Sequence, residues 1–212
     1  MRTSEGWVYR HVTVTAEPGD VLEVRGAGGT GRSMLLLTLV GRARPTAGTL
    51  TVLGHELPQG SRAVRRLASV ARLDDVIEPE DQQTVAQAFR ERARWDRVHR
   101  AGQDGLSYRV DEARELTGLR AADDERVAGL PAVQRTLLAV ALAVLARPRL
   151  LVLDDLDDGL PPDEQVVVWA ALGLVAAADD CLAVATTDGG DPRDGHAGRS
   201  VLELHPTHLE ES

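Results

Sequence analysis

Cysteine is nearly absent. Cys181 is the single one among 212 residues, which excludes an internal disulfide and any multi-cysteine metal site. It lies in the apolar run CLAVAT (181–186) and reads as a buried structural thiol rather than a nucleophile. Aromatic residues make up only 3%, so the core must be built from Leu, Val and Ala. There is no surplus of positive charge: the net charge is −9, which argues against nucleic acid as a partner, because phosphate binding needs clustered basic residues. The arginines are interspersed with acids, as in RERARWDR (90–97), the pattern of a solvated helix face. Long apolar runs are also lacking. LLAVALAVLA (137–146) and VVVWAALGLVAAA (166–178) fall short of the roughly 18–20 residues that span a bilayer, and MRTSEGWVYR lacks the apolar stretch of a signal peptide. The expectation is a soluble, cytoplasmic chain whose membrane role, if any, comes through a partner. The length suits one sizeable core or a core with an inserted subdomain, and 43% hydrophobic residues are enough to fold it.

What is present is an alternation of strand-like and helix-like segments. VYRHVTVT (8–15) and VLEVR (21–25) read as strands separated by the turn EPGD, and MLLLTLVG (34–41) as an apolar helix. TLTVLG (49–54) reads as a further strand after the turn RPTAG. From residue 84 the spacing becomes helical, and 84–135 reads as a helical insertion. A helix then runs to Ala146, stops at RP (147–148), and leads into LLVLDD (150–155), whose apolar residues ending in acids read as a fully buried parallel strand. A helix over 162–178 and strands CLAVAT and SVLEL (200–204) complete an α/β pattern.

GAGGTGRS (26–33) lies between the strand VLEVR and the helix after it, the context that the phosphate-binding pattern G-x-x-x-x-G-K-[ST] requires. Gly26, Gly31 and Ser33 fit the pattern, and Arg32 stands where it has lysine. The loop is open to three readings: a nucleotide site, a lapsed one, or a glycine-rich turn. The acids of DDLDDGLPPDEQ (154–165) do not form a calcium loop, since with Gly159 at the sixth place the third is Leu156 and the twelfth Gln165. No N-K-x-D base-reading motif appears, which disfavours a GTP-binding protein.

In order and approximate spacing, EPGDVLEV, the glycine loop, PTAGTLTVLG, the helical insertion and VQRTLLAVALAVLARPRLLVLDD resemble the nucleotide-binding subunit of ABC transporters across almost the whole chain. The resemblance implies a P-loop NTPase fold of the ABC ATPase type: a mostly parallel core sheet flanked by helices, N-terminal antiparallel strands and an inserted helical subdomain. The nucleotide-binding core would be 1–83 and 136–212, with 84–135 as the subdomain. It implies ATP held by Gly26, Gly28, Gly29, Thr30, Gly31, Arg32, Ser33 and Met34, through backbone N–H groups and a helix N-terminus. It implies Mg²⁺ held by Ser33 and Asp154, the alternative for Asp154 being a helix-capping acid. A transmembrane transporter subunit and a second cassette are the implied partners, placing the chain against the inner face of a membrane.

The departures from that family fall on the chemistry. Arg32 keeps the charge of the lysine but is a broad rigid fork in place of a point charge. Asp155 replaces the glutamate that orients the attacking water and is one methylene shorter. Thr187 stands for the switch histidine, Arg72 for the glutamine that links the core to the insertion, and Pro161 for the D-loop aspartate. GGDPRDGHAG (189–198) reads as a loop where the family has a helix. LPAVQ (130–134) stands for the signature L-S-G-G-Q, and Pro131 has neither hydroxyl nor N–H although it suits a helix start. Trp7 and Tyr9 are the candidates for an adenine-stacking aromatic; Tyr9 reads as core packing and Trp7 is open between the two. Six altered positions on an intact scaffold imply ATP binding with weak or lost hydrolysis. The alternatives are a non-catalytic regulatory or assembly module and a slow but functional transporter ATPase.

Overall fold

The computed structural model describes residues 1–3, 6–73, 79–98, 102–189 and 199–206. Its central feature is a five-stranded parallel sheet. In chain order its strands are β3 (Val21–Arg25), β6 (Ala68–Arg72), β7 (Leu150–Leu153), β8 (Leu182–Thr187) and β9 (Arg199–Glu203). Across the sheet the order is β6-β7-β8-β3-β9, with Leu150 opposite Leu182 and Val21 opposite both Ala183 and Arg199. Every residue of β7 is buried, as a strand covered on both faces requires. Two antiparallel pairs lie outside this sheet: β1 (Arg2–Thr3) with β2 (Gly6–Trp7), and β4 (Leu50–Val52) with β5 (His55–Leu57).

Alternation along the strands divides the core in two. Leu22, Val24, Leu150, Val152 and Val184 face α1 (Arg32–Leu39) and α2 (Ser61–Leu67), meeting Leu35, Leu36 and Val64. Leu151, Leu153, Ala183 and Ala185 face the other way, toward α5 (Ala132–Val144) and α6 (Pro162–Asp179). The same layer continues into α3 (Val85–Trp95) and α4 (Gly102–Thr117), which lie between β6 and β7 in sequence. Thr84 and Gln87 close a capping box at the start of α3, satisfying two N–H donors reciprocally. Arg92 ties α3 to the sheet edge, donating to the Val70 carbonyl at 3.1 Å and to Ser69 Oγ at 2.6 Å.

The strands 21–25, 50–52, 150–153, 182–187 and 199–203 lie within or beside the segments that their patterns indicate. Residues 8–15 differ: no strand forms there. His11 takes a left-handed backbone (φ 56) that interrupts the extended run, and Val14 remains exposed. Conversely, α2 and β6 were not apparent in SRAVRRLASVAR. The run mixes arginine and small residues, and β6 is buried by β7, α5 and α2 rather than by apolar bulk of its own. The loop reading of 189–198 falls on a segment lying, apart from Gly189, outside the described residues.

Candidate functional site

The carboxyl ends of β3, β7 and β8 meet at one edge of the sheet, where open α/β sheets hold ligands. Between β3 and α1 the chain makes a tight loop whose shape only glycine permits at two points. A Cβ on Gly26 would lie 2.7 Å from the Leu204 carbonyl oxygen; one on Gly31, at φ 88, would lie 2.5 Å from that of Val8. The crown of the loop, including Gly28 and Gly29, is exposed with open space around it. Thr30 turns inward, its hydroxyl donating to the Ala27 carbonyl at 2.8 Å. Gly31 then caps α1 without a side-chain hydrogen bond. The first N–H groups of a helix have no intrahelical acceptor, so Arg32, Ser33 and Met34 present theirs, with the helix dipole, at this edge.

Arg32 itself is nine-tenths buried. Its Nη2 donates to Asp155 Oδ1 at 2.7 Å and pairs with Asp188 Oδ1 at 2.6 Å, while its buried Nη1 has no partner among the described residues. Asp154 ends β7, almost wholly buried. Its Oδ1 accepts from Thr186 Oγ1, whose oxygen in turn accepts the Asp155 N–H at 2.7 Å. Among the described residues Asp154 Oδ2 is buried with no partner, and a buried polar oxygen is ordinarily matched by a donor or a cation. Arg72 reaches from β6 and donates to the carbonyls of Asp154 and Asp155. The backbone of Asp155 is left-handed (φ 44), a costly state for a non-glycine residue that these contacts hold in place.

Burial, and next the neighbouring charge of Asp154, raise the carboxyl of Asp155 above its ordinary value, against the opposing pull of Arg32. Asp157 is raised as well, chiefly by burial. Its Oδ2 accepts the Asp188 N–H at 2.9 Å. Thr187 lies apart from this group in its bonding. It is buried at the end of β8, and its hydroxyl donates to Glu23 Oε1 at 2.8 Å. Glu23 is also paired with Arg25 at 3.1 Å and Arg199 at 2.9 Å.

A sequence profile described as ABC transporter matches residues 9–157. The chain belongs to the ABC transporter family. It is 31% identical over 150 residues to a putative ABC transporter ATP-binding protein of Methanopyrus kandleri, covering 70% of this chain and 54% of that protein. It is 26% identical over 212 residues to the Nod factor export ATP-binding protein I of Cupriavidus metallidurans, covering 97% and 68%. The matched stretch thus spans 54% and 68% of the length of these two relatives. Among solved structures, cbiO1 from Clostridium perfringens, part of the ABC transporter complex cbiONQ, superposes with a TM-score of 0.71 at 19% identity, covering 89% of this chain and 75% of that one. A dimeric ATP-binding cassette bound to ADP and phosphate superposes with a TM-score of 0.67 at 16% identity, covering 86% and 80%. The fold is that of ABC ATPases, with a parallel sheet flanked by helices and antiparallel pairs beside it.

In this member of the ABC transporter family, the loop 26–33, Asp154 and Asp155 come together; Thr187 is engaged elsewhere. The segment LPAVQ opens α5: Pro131 is its N-cap, exposed together with Ala132, and Gln134 Oε1 accepts the Arg120 N–H at 2.8 Å. Pro161 caps α6, followed by Pro162 in the first turn. Trp7 is half-buried with the Arg2 guanidinium 5.6 Å from its ring centre. Tyr9 is buried and its hydroxyl donates to Thr38 Oγ1 at 2.9 Å, so it packs in the core. Sequence reasoning did not single out Thr186, Asp188 or Glu23. The available signal was charge balance: a loop arginine that folds inward needs acids, and Asp188 directly follows the strand beside it.

Proposed function

We propose that the chain binds Mg-ATP through residues 26–33 and hydrolyses it weakly or not at all, in partnership with a transmembrane transporter protein and a second cassette. Membership of the ABC transporter family implies ATP. The unpartnered Asp154 Oδ2, buried at the sheet edge beside an oxygen-rich strand end, suits a hard cation such as Mg²⁺. Ser33, in the first turn of α1, is the second residue we assign to it. When bound, Mg²⁺ would neutralise charge on the phosphates. The glycine loop and the first N–H groups of α1 would cradle the anion, and Arg32 Nη1 has donors to give.

The observation that carries the reading of weak hydrolysis is the pairing of Arg32 with Asp155. The carboxylate standing where the family orients water is engaged by the loop's own cation, while the Thr187 hydroxyl is given to Glu23. Pro131 adds no N–H to a partner's γ-phosphate. That last feature also favours a second reading, a regulatory or assembly module without turnover. The core at 1–83 and 136–212 would carry the nucleotide, and 84–135 would form the helical subdomain. No helix among the described residues is long and apolar enough to cross a membrane, so attachment at the inner face would come through the partner. A groove of about 570 Å³ between core and α3, lined by Arg42, Arg65, Glu80, Arg92 and the exposed Trp95, is the surface we assign to it.

The test is a titration of the chain with Mg-ATP, followed by a turnover assay. Weak binding that tightens on Arg32→Lys is expected, because a thinner stem fits around the phosphates and does not bridge two acids. Absence of binding in both proteins at millimolar nucleotide overturns the nucleotide reading. A wild-type rate on the order of 1 s⁻¹ or more overturns weak hydrolysis.

A further inference from the structure

Arg32 has only 9% of its side chain accessible, and three facts about it stand together. Both of its ion pairs are made by one nitrogen, Nη2, to Asp155 and Asp188. The other terminal nitrogen, Nη1, is buried without an acceptor. And the residue lies at the mouth of α1, inside a loop whose N–H groups favour an anion. A guanidinium is a planar fork that matches two oxygens of one phosphate, and here two carboxylate oxygens take up one side of the fork. The main chain of Asp188 is anchored beside the loop, since its backbone N–H is given to the Asp157 carboxylate at 2.9 Å.

We propose that Asp188 acts with Asp155 as an internal counter-anion that holds Arg32 and competes with the polyphosphate of a nucleotide for it. This deepens, and rests on, the reading of 26–33 as a nucleotide loop. Polyphosphate approaching the loop finds Nη1 buried and Nη2 held by the two carboxylates, and must displace them to engage the fork. The free chain therefore stays in a self-paired state, and Asp188 is a positioning residue that sets the threshold for leaving it. Of the two acids, Asp188 is the one to change, because Asp155 occupies the place assigned to water orientation. The Asp188 carboxylate is 68% accessible, so its removal should shift affinity moderately.

The experiment is calorimetric titration of the full chain with Mg-ATP, comparing wild type, Asp188→Asn, Asp188→Glu, Arg32→Ala and the double variant Arg32→Ala/Asp188→Asn. Asp188→Asn should bind about two- to fivefold more tightly, the range of a partly exposed ion pair, and Asp188→Glu should return close to wild type. In the Arg32→Ala background, Asp188→Asn should give no gain; an equal gain there would mean general repulsion between acid and phosphate and overturns the proposal. Binding by the wild type that Asp188→Asn leaves unchanged or weakens overturns it too, with the nucleotide reading intact. No binding in any variant at millimolar Mg-ATP removes the nucleotide reading and the competition with it. Nitrogen NMR of the Arg32 guanidinium gives a readout free of nucleotide: rotation about Cζ–Nη2 should be faster in Asp188→Asn than in the wild type, with the Asp155 bond still slowing it. A signal that Asp188→Asn does not change overturns the proposal.

Discussion

Strand β7 and the two residues after it are contiguous in sequence and opposite in character. Leu150, Leu151, Val152 and Leu153 are fully buried, regular in register against β8, with one shift against β6 between Val70 and Arg72, and matched on both faces by apolar side chains. Asp154 and Asp155 follow with an unpartnered buried oxygen, a left-handed backbone, and bonds to Arg32, Arg72 and Thr186. Along the strand, propensity, pattern and packing agree. Past its end they conflict, and the conflict is held by surrounding contacts. Such local violations mark the sites where a fold gives up stability for binding. In this chain regular packing and local conflict are separated by a single residue step at the end of β7.

The sharpest way to break the comparison is to damage its stable half. Leu153→Ala removes a side chain with no room for its surroundings to collapse, and should cost about 2–5 kcal/mol, measured by denaturant unfolding. A loss near zero would mean that β7 is not the rigid base on which the rim depends. Rebuilding the other half should give the next largest effect. Asp155→Glu alone should leave turnover near background. Combined with Arg32→Lys, Thr187→His, Pro131→Ser, Ala132→Gly and Val133→Gly, it should raise the rate about 100-fold or more, because groups around one phosphate act as a unit. Thr187→His also removes the Glu23 bond, so melting temperature should be followed beside the rate.

Gly31→Ala probes the junction of the two regions. Its positive φ and the Val8 carbonyl leave no place for a methyl group, so a cost of about 1–3 kcal/mol is expected, with nucleotide binding lost before the fold. Equal losses in both would mean that the loop is part of the scaffold. The smallest effect belongs to Tyr9. Burial, the leading cause, raises its phenol above the ordinary value, with the Thr38 hydrogen bond opposing. The fold therefore favours the neutral phenol: its contribution is intact below the unfolded value of about 10 and is lost as pH rises above it. Tyr9→Phe should remove that alkaline loss and cost about 1 kcal/mol near neutrality, since Thr38 keeps its bond to the Met34 carbonyl. An unchanged alkaline unfolding curve would place the phenol in water.

The sequence by itself determined the alternation of strands and helices from residue 21 onward outside 61–72, the glycine loop between β3 and α1, and the acids that follow β7. These are local facts, carried by period, by glycine and by apolar runs bounded by charge. Tertiary structure alone decided the fate of 8–15, where a left-handed His11 overrides alternation, and of β6, whose burial comes from neighbours distant in sequence. It alone decided the partners of Arg32. Position 32 is marked in sequence by the motif as an arginine where the phosphate-binding pattern has lysine, but the motif does not say what it pairs with. Its distinction lies in Asp155 and Asp188, which are 123 and 156 residues away and reach it because parallel strands bring their carboxyl ends together at one edge. Thr187 shows the same limit in reverse: its place at the end of β8 is legible, while its bond to Glu23 on the adjacent strand is set by the pairing of β3 with β8.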